Sequence, residues 1–252
     1  MNNIFSKNMH GVLVIMLTCI FFMSCGLETV SYITAPELNY LPENTDSLQR
    51  IYQFTTSDSL NSSESTFEGT SIYYRIYNNK TKMNSDINSI QNANDDVVDV
   101  GFNRMQNLGY VELTSSSTNP DILGTPLFLK QGRDEEILVR LYREGDSELF
   151  YPYFSVGGSY IQNNGVNIIP LRAEASKSFQ FYDYITDEKT DDFPQPDDID
   201  VQFDSSAQDT KWYVCAYGVS VGFVPETYSN YYSQLVYLGY IVIKPSYDTS
   251  ED

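Results

Sequence analysis

The stretch Thr70-Ser71-Ile72-Tyr73-Tyr74-Arg75-Ile76-Tyr77 decides the fold. Its β-branched and aromatic residues favour an extended backbone. With a period of two, Ile72, Tyr74 and Ile76 share one face, and Tyr73, Arg75 and Tyr77 share the other. Similar runs recur on both sides. Gln49–Thr55 precedes it; Pro126–Leu129, Glu136–Tyr142, Leu149–Val156, Ser178–Tyr184, Trp212–Phe223 and Leu235–Ile243 follow. Turn signals divide them: Gln131-Gly132-Arg133-Asp134, Glu144-Gly145-Asp146-Ser147 and Asn163-Asn164-Gly165. Asn-Gly supplies the two left-handed residues of a type I′ turn, so the last of these reads as a hairpin joining Ser159–Ile161 to Val166–Ile169. Roughly ten short strands at this spacing predict a mainly β chain, an antiparallel two-sheet sandwich.

The period changes once. Met83, Ile87 and Ile90 fall at i, i+4 and i+7, and Phe102, Met105 and Leu108 at i, i+3 and i+6. Two short helices are expected near 82–108, bracketing Asn94-Asp95-Asp96, with Asp99 as a cap and Gly109 as a stop.

Before the first strand lies a different kind of segment. Lys7 precedes the apolar run Val12–Met23, and Ser24-Cys25-Gly26 closes it. That run has the length of a signal-peptide core and is too short to span a bilayer, which takes roughly 20 residues. Phe22-Met23-Ser24-Cys25 resembles the bacterial lipobox, with Phe22 where most boxes carry Leu. The resemblance implies that residues 1–24 are removed and that the Cys25 thiol carries a diacylglyceryl group. One acyl chain gives marginal binding at about 0.8 kcal/mol per buried methylene, whereas two or three anchor durably. Two other readings compete: an ordinary secretory signal, and cleavage before Cys19 after Met16-Leu17-Thr18.

Processing at Cys25 leaves 228 of the 252 residues and removes His10, the single histidine of the chain. Without a histidine, Cys-His and Ser-His-Asp triads and histidine-based metal sites are excluded. Cys215 is left without an intramolecular partner if Cys25 is lipidated, which excludes a disulfide framework. The full chain carries a formal charge of −19, and losing Lys7 makes the remainder one unit more negative. Such a surface repels phosphate backbones, so nucleic acid is not expected as a partner. Residues 25–46, with Pro36 and Pro42, read as a tether that includes an early strand near Ser31–Thr34; 47–244 read as the sandwich and 245–252 as a disordered tail.

Phe67–Tyr77, Trp212–Gly218 and Leu238-Gly239-Tyr240-Ile241 together resemble uncharacterised lipoproteins of treponeme-type spirochaetes, and the Tyr-Tyr-x-Ile strand is also similar to immunoglobulin/fibronectin-III-like modules. The resemblance implies an envelope or surface location, on the outer membrane or the periplasmic side of a membrane. It brings no established activity.

The expected function is therefore a non-catalytic binding or structural module, held to the bilayer through acylated Cys25, with a protein or glycan partner. No catalytic, cofactor or metal residues are assigned. Tyr228, Tyr231 and Tyr232, in the loop before the last strand, are the candidate contacts, because tyrosine offers a rigid apolar body with a polar tip. Tyr151 and Tyr153 share a strand face. Two alternatives stand beside this reading. One is a carbohydrate-binding module or a glycoside hydrolase using two carboxylates. The other is a calcium-stabilised adhesion module using Asp191, Asp192, Asp197, Asp198, Asp200 and Asp204 of the acidic 186–204 loop, which lacks the EF-hand order and reads first as a solvated loop. Cys215 reads as a buried thiol acting as a small apolar side chain.

Overall fold

A computed structural model describes residues 32–42, 50–94, 99–117, 126–145, 150–174, 177–206 and 211–244. The leader, Cys25, Asp95 and Asp96, and the tail lie outside the described residues, as do residues 25–31 and 43–46 of the expected tether.

The chain is mainly β, an antiparallel sandwich with a small helical insertion. The first sheet has the order β1-β2-β7-β8-β9, with β1 Glu37–Tyr40, β2 Tyr52–Thr55, β7 Glu136–Arg140, β8 Tyr153–Val156 and β9 Ser159–Tyr160. The second is built around two long strands, β3 Phe67–Tyr77 and β14 Trp212–Val224, paired antiparallel from Tyr77↔Tyr213 to Phe67↔Gly222. The free side of β3 is covered in turn by β6 Phe128–Leu129, β4 Val111–Glu112 and β13 Val201–Gln202, the last of these parallel. The free side of β14 is covered by β16 Val236–Ile243 and β15 Ser229–Tyr232. Two small ribbons complete the set: β5 Thr114–Ser115 with β12 Pro170–Leu171, and β10 Gln162–Asn163 with β11 Val166–Asn167.

The two faces of β3 carry two different cores. Ile72, Tyr74 and Ile76 pack between the sheets with Tyr52, Phe54, Ile137, Val139, Phe154, Val214 and Ala216. Tyr73 and Tyr77 pack on the outer side with Tyr213, Tyr217 and the helices α1 Lys80–Ala93 and α2 Val100–Asn107. The central strands are therefore largely buried on both faces, which is why both alternating sets are rich in aromatic and apolar residues, with the half-buried Arg75 as the exception. Met83, Ile87 and Ile90 of α1 and Phe102 and Met105 of α2 supply the covering face. Each such side chain contributes roughly 1.5–3 kcal/mol by leaving water. Asn79 caps α1 by accepting from the Lys82 N–H. Asp99 is the N-cap residue of α2, in the left-handed region (φ 71°), and its carbonyl accepts from the Asn103 N–H; its side chain makes no capping bond, and Oδ1 accepts from the Tyr232 N–H instead.

Several expectations are corrected. The early strand is Glu37–Tyr40, an edge strand between Pro36 and Pro42, where proline is tolerated. Ile33 is buried with Phe67 and Tyr231, and Thr34 exchanges two hydrogen bonds with Asn61, so the described part of the expected tether is built into the fold. Residues 178–184 form no strand. Phe179 and Phe181 point inward as a strand would, but the Phe181 N–H bonds to the Phe179 carbonyl and Thr190 Oγ1 to the Gln180 carbonyl, so the backbone is satisfied by turns. The hairpin at Asn164-Gly165 is present, with both residues left-handed (φ 52° and 78°), on a ribbon separate from β9.

Candidate functional site

The three tyrosines expected to make contact do not form one surface. Tyr231 and Tyr232 lie in β15, not in a loop. The Tyr231 ring is 9% exposed, packs on Phe67 and Ile33, and shares a hydrogen bond with Thr66 Oγ1 at 2.6 Å. Tyr232 stacks on Phe102 with ring centroids 3.5 Å apart. Tyr228 alone of the three projects, 86% exposed at the turn between β14 and β15. Tyr153 leans on Tyr160 at 5.0 Å.

The acidic loop is not simply solvated. Arg172 is fully buried and donates to Asp200 through Nε (2.9 Å) and Nη2 (2.5 Å), to Asp198 through Nη2 (2.6 Å) and to the Asp192 carbonyl through Nη1 (3.0 Å). Tyr74 donates to Asp200 at 2.5 Å, and Lys177 Nζ to Asp198 at 2.6 Å. Burial opposes ionisation of Asp198, but Lys177, the Gln195 N–H and Arg172 outweigh it and hold the carboxyl below its ordinary pKa. These bonds tie the 190–200 segment to the centre of the second sheet. Among the described residues, no three His, Cys, Asp or Glu side chains converge to hold a metal ion.

A cleft of about 280 Å³ opens where the turn after β7 meets the turn at 182–187 and the end of β16. Tyr142, Arg143, Glu144 and Phe150 line one side; Gln180, Tyr182, Asp183, Tyr184 and Asp187 line the other; Ile243 and Lys244 complete it. Gln180 holds the two sides together. Its Oε1 accepts from the Arg143 N–H at 2.9 Å and its Nε2 donates to the Arg143 carbonyl at 3.2 Å and the Tyr182 carbonyl at 2.6 Å. The Arg143 guanidinium lies 3.8 Å from the Tyr184 ring centroid and 4.5 Å from that of Tyr151, and Nε donates to the Gly145 carbonyl at 3.1 Å. Each such cation–ring contact contributes about 0.5–1 kcal/mol at an exposed site and more when dry. The guanidinium is thereby fixed in place as part of the wall.

The floor is equally ordered. Arg50 Nη1 donates to the Tyr142 hydroxyl (2.8 Å) and to Glu144 (2.9 Å), and Tyr142 donates to the Val242 carbonyl (3.2 Å). Burial pushes the Tyr142 hydroxyl up to about 12, so it is a neutral donor at physiological pH. Asp183 Oδ1 accepts from the Thr186 and Ile185 N–H groups, both at 2.8 Å, and these bonds lower its pKa. It is ionised at neutral pH and suited to accepting hydrogen bonds rather than to donating a proton.

The sequence carries a faint signal for this cleft: charged residues set beside aromatics at two turns, Tyr142-Arg143-Glu144-Gly145 and Tyr182-Asp183-Tyr184. Nothing in the spacing brings those turns together, because their meeting depends on how the two sheets pack. Comparison with protein-family models, with curated proteins and with solved structures finds no match.

Proposed function

We propose that this chain is a lipid-anchored envelope protein that acts by binding rather than by catalysis, with the cleft at Arg143 and Tyr184 as its binding site. The observation that carries this reading is the Arg143 guanidinium stacked on two tyrosine rings at the mouth of an ordered pocket. A preformed wall loses little side-chain freedom when a ligand arrives, which favours recognition. Aromatic rings beside fixed polar groups are the usual lining of a small-molecule or glycan site. The location rests on Phe22-Met23-Ser24-Cys25, whose acylated cysteine would hold the module at the outer membrane or the periplasmic side of a membrane.

The test places a photo-crosslinking phenylalanine analogue at Ile185, which is 68% exposed and follows Tyr184 directly, and at the remote exposed Val166 as a control. The full chain is irradiated in the envelope of the producing cell. An adduct from position 185 and none from 166 supports binding at the cleft; equal adducts at both, or none at 185, contradict it.

A further inference from the structure

We infer that the ligand of the cleft is the end of a neutral saccharide chain. The inference rests on the binding role given above and adds the class of ligand. Three features of the site point to it.

The first is size. A cleft of about 280 Å³ falls just under the roughly 300–1,000 Å³ typical of pockets that enclose a drug-sized molecule. It holds one end of a ligand, with the remainder outside.

The second is charge. Arg143 and Lys244 share the lining with Asp183 and Asp187, and Glu144, also in the lining, is paired with Arg50, so the charges around the space balance. The chain as a whole carries −19, so an anion gains no net attraction in approaching it. A cation is drawn by the chain's overall charge but finds no net negative charge in the lining, where Arg143 and Lys244 offset Asp183 and Asp187. A neutral, strongly polar molecule meets neither obstacle.

The third is the pairing of ring and hydrogen-bonding groups. Phe150, Tyr182 and Tyr184 offer apolar ring surface, and the Asp183 carboxylate is held ionised as an acceptor. The donors are those of the Lys244 ammonium in the lining, the Tyr142 hydroxyl being committed to Arg50 and the Val242 carbonyl. A sugar ring has an apolar C–H face, and its rim of hydroxyls both donates and accepts. It satisfies the aromatic wall and polar groups of either kind at once, which a peptide backbone does with fewer groups per unit of surface.

The test uses the full chain in detergent micelles and saturation-transfer NMR against a defined panel. The neutral probes are glucose, galactose, mannose, N-acetylglucosamine and their disaccharides; glucuronate and glucosamine are the charged controls. The expected result is transfer to at least one neutral sugar, with affinity reduced about tenfold or more in Tyr184→Ala and unchanged in Tyr228→Ala. If Tyr184→Ala lowers the melting temperature, Lys244→Ala provides the second reading and is expected to weaken the same sugar. Binding that survives both changes overturns the assignment of the site. Absence of transfer to every neutral sugar, or preference for glucuronate or glucosamine, overturns the ligand class. A peptide mass on the adduct from position 185 overturns the ligand class while leaving the binding role intact; absence of any adduct there removes the binding role itself.

Discussion

Arg172 and Asp200 form a two-point ion pair in which neither side chain reaches solvent: both are 0% exposed, with Nε on Oδ2 at 2.9 Å and Nη2 on Oδ1 at 2.5 Å. Tyr74 of β3 closes the arrangement by donating to the same carboxylate and accepting from the Ala173 N–H. The pair fastens the irregular region around Arg172 and Asp200 to β3, a central strand of the second sheet. Removing one partner of a buried pair leaves an uncompensated charge and costs about 3–5 kcal/mol. Arg172→Met is therefore expected to lose stability on that scale, read from urea unfolding of the full chain. A loss under about 1 kcal/mol, the scale of an exposed pair, would show that the pair is not buried in solution.

The same cluster gives a pH dependence with a definite sign. The folded Asp198 carboxyl titrates below its ordinary value. The unfolded chain then binds this proton more readily, so the contribution of Asp198 is fully present above the ordinary aspartate pKa of about 3.9 and is lost as pH falls through the lower folded value. Unfolding free energy measured from pH 5 downward should fall less steeply for Asp198→Asn than for the wild type. Parallel slopes would remove the group from the acid response.

Cys215 lies in β14 under the helices, fully buried, and accepts from the Tyr110 hydroxyl at 3.2 Å. Burial pushes its thiol up to about 12. Since the thiolate is the reactive form, Cys215 in the folded chain should resist an aromatic disulfide reagent at pH 8 and react fully in denaturant. Peptide mass mapping distinguishes it from the other cysteines. Rapid labelling of the folded protein at Cys215 would contradict the burial.

Two tyrosines three residues apart should behave oppositely. Tyr231 fills space against Phe67 and Ile33, so Tyr231→Ala should cost about 2–4 kcal/mol by leaving a cavity. Tyr228 projects from its turn, and Tyr228→Ala should stay within about 0.5 kcal/mol. Thermal melts of the two variants make the comparison. Equal effects would mean that β15 is not formed as described.

Local pattern made some of this legible. The alternation in Thr70–Tyr77 placed Ile72, Tyr74 and Ile76 on one face of β3 and Tyr73 and Tyr77 on the other, and the helical spacing of Met83, Ile87, Ile90, Phe102 and Met105 located the insertion. The Asn164-Gly165 turn could be read because the left-handed geometry is a property of two adjacent residues. Features that depend on distant partners were not legible. Phe179 and Phe181 alternate as in a strand, but hydrogen bonds from Thr190 and neighbouring turns take the backbone elsewhere. The aspartates at 198 and 200 look like solvated loop residues until Arg172 and Lys177 are placed beside them. Tyr231 looks like a loop tyrosine until β15 pairs with the end of β14. The cleft needs two turns from separate parts of the chain, joined by one glutamine, Gln180.

The proposed envelope location and the proposed loss of His10 by processing both rest on Cys25. Intact mass of the protein purified from the membrane, together with detergent phase partitioning, tests this most directly. With a lipid anchor at Cys25, the expected chain starts at Cys25, carries the added mass of two or three acyl chains and a glycerol, and enters the detergent phase, while Cys25→Ala is unmodified and stays in the aqueous phase. A wild-type protein of unmodified mass, or one that partitions as Cys25→Ala does, would contradict it.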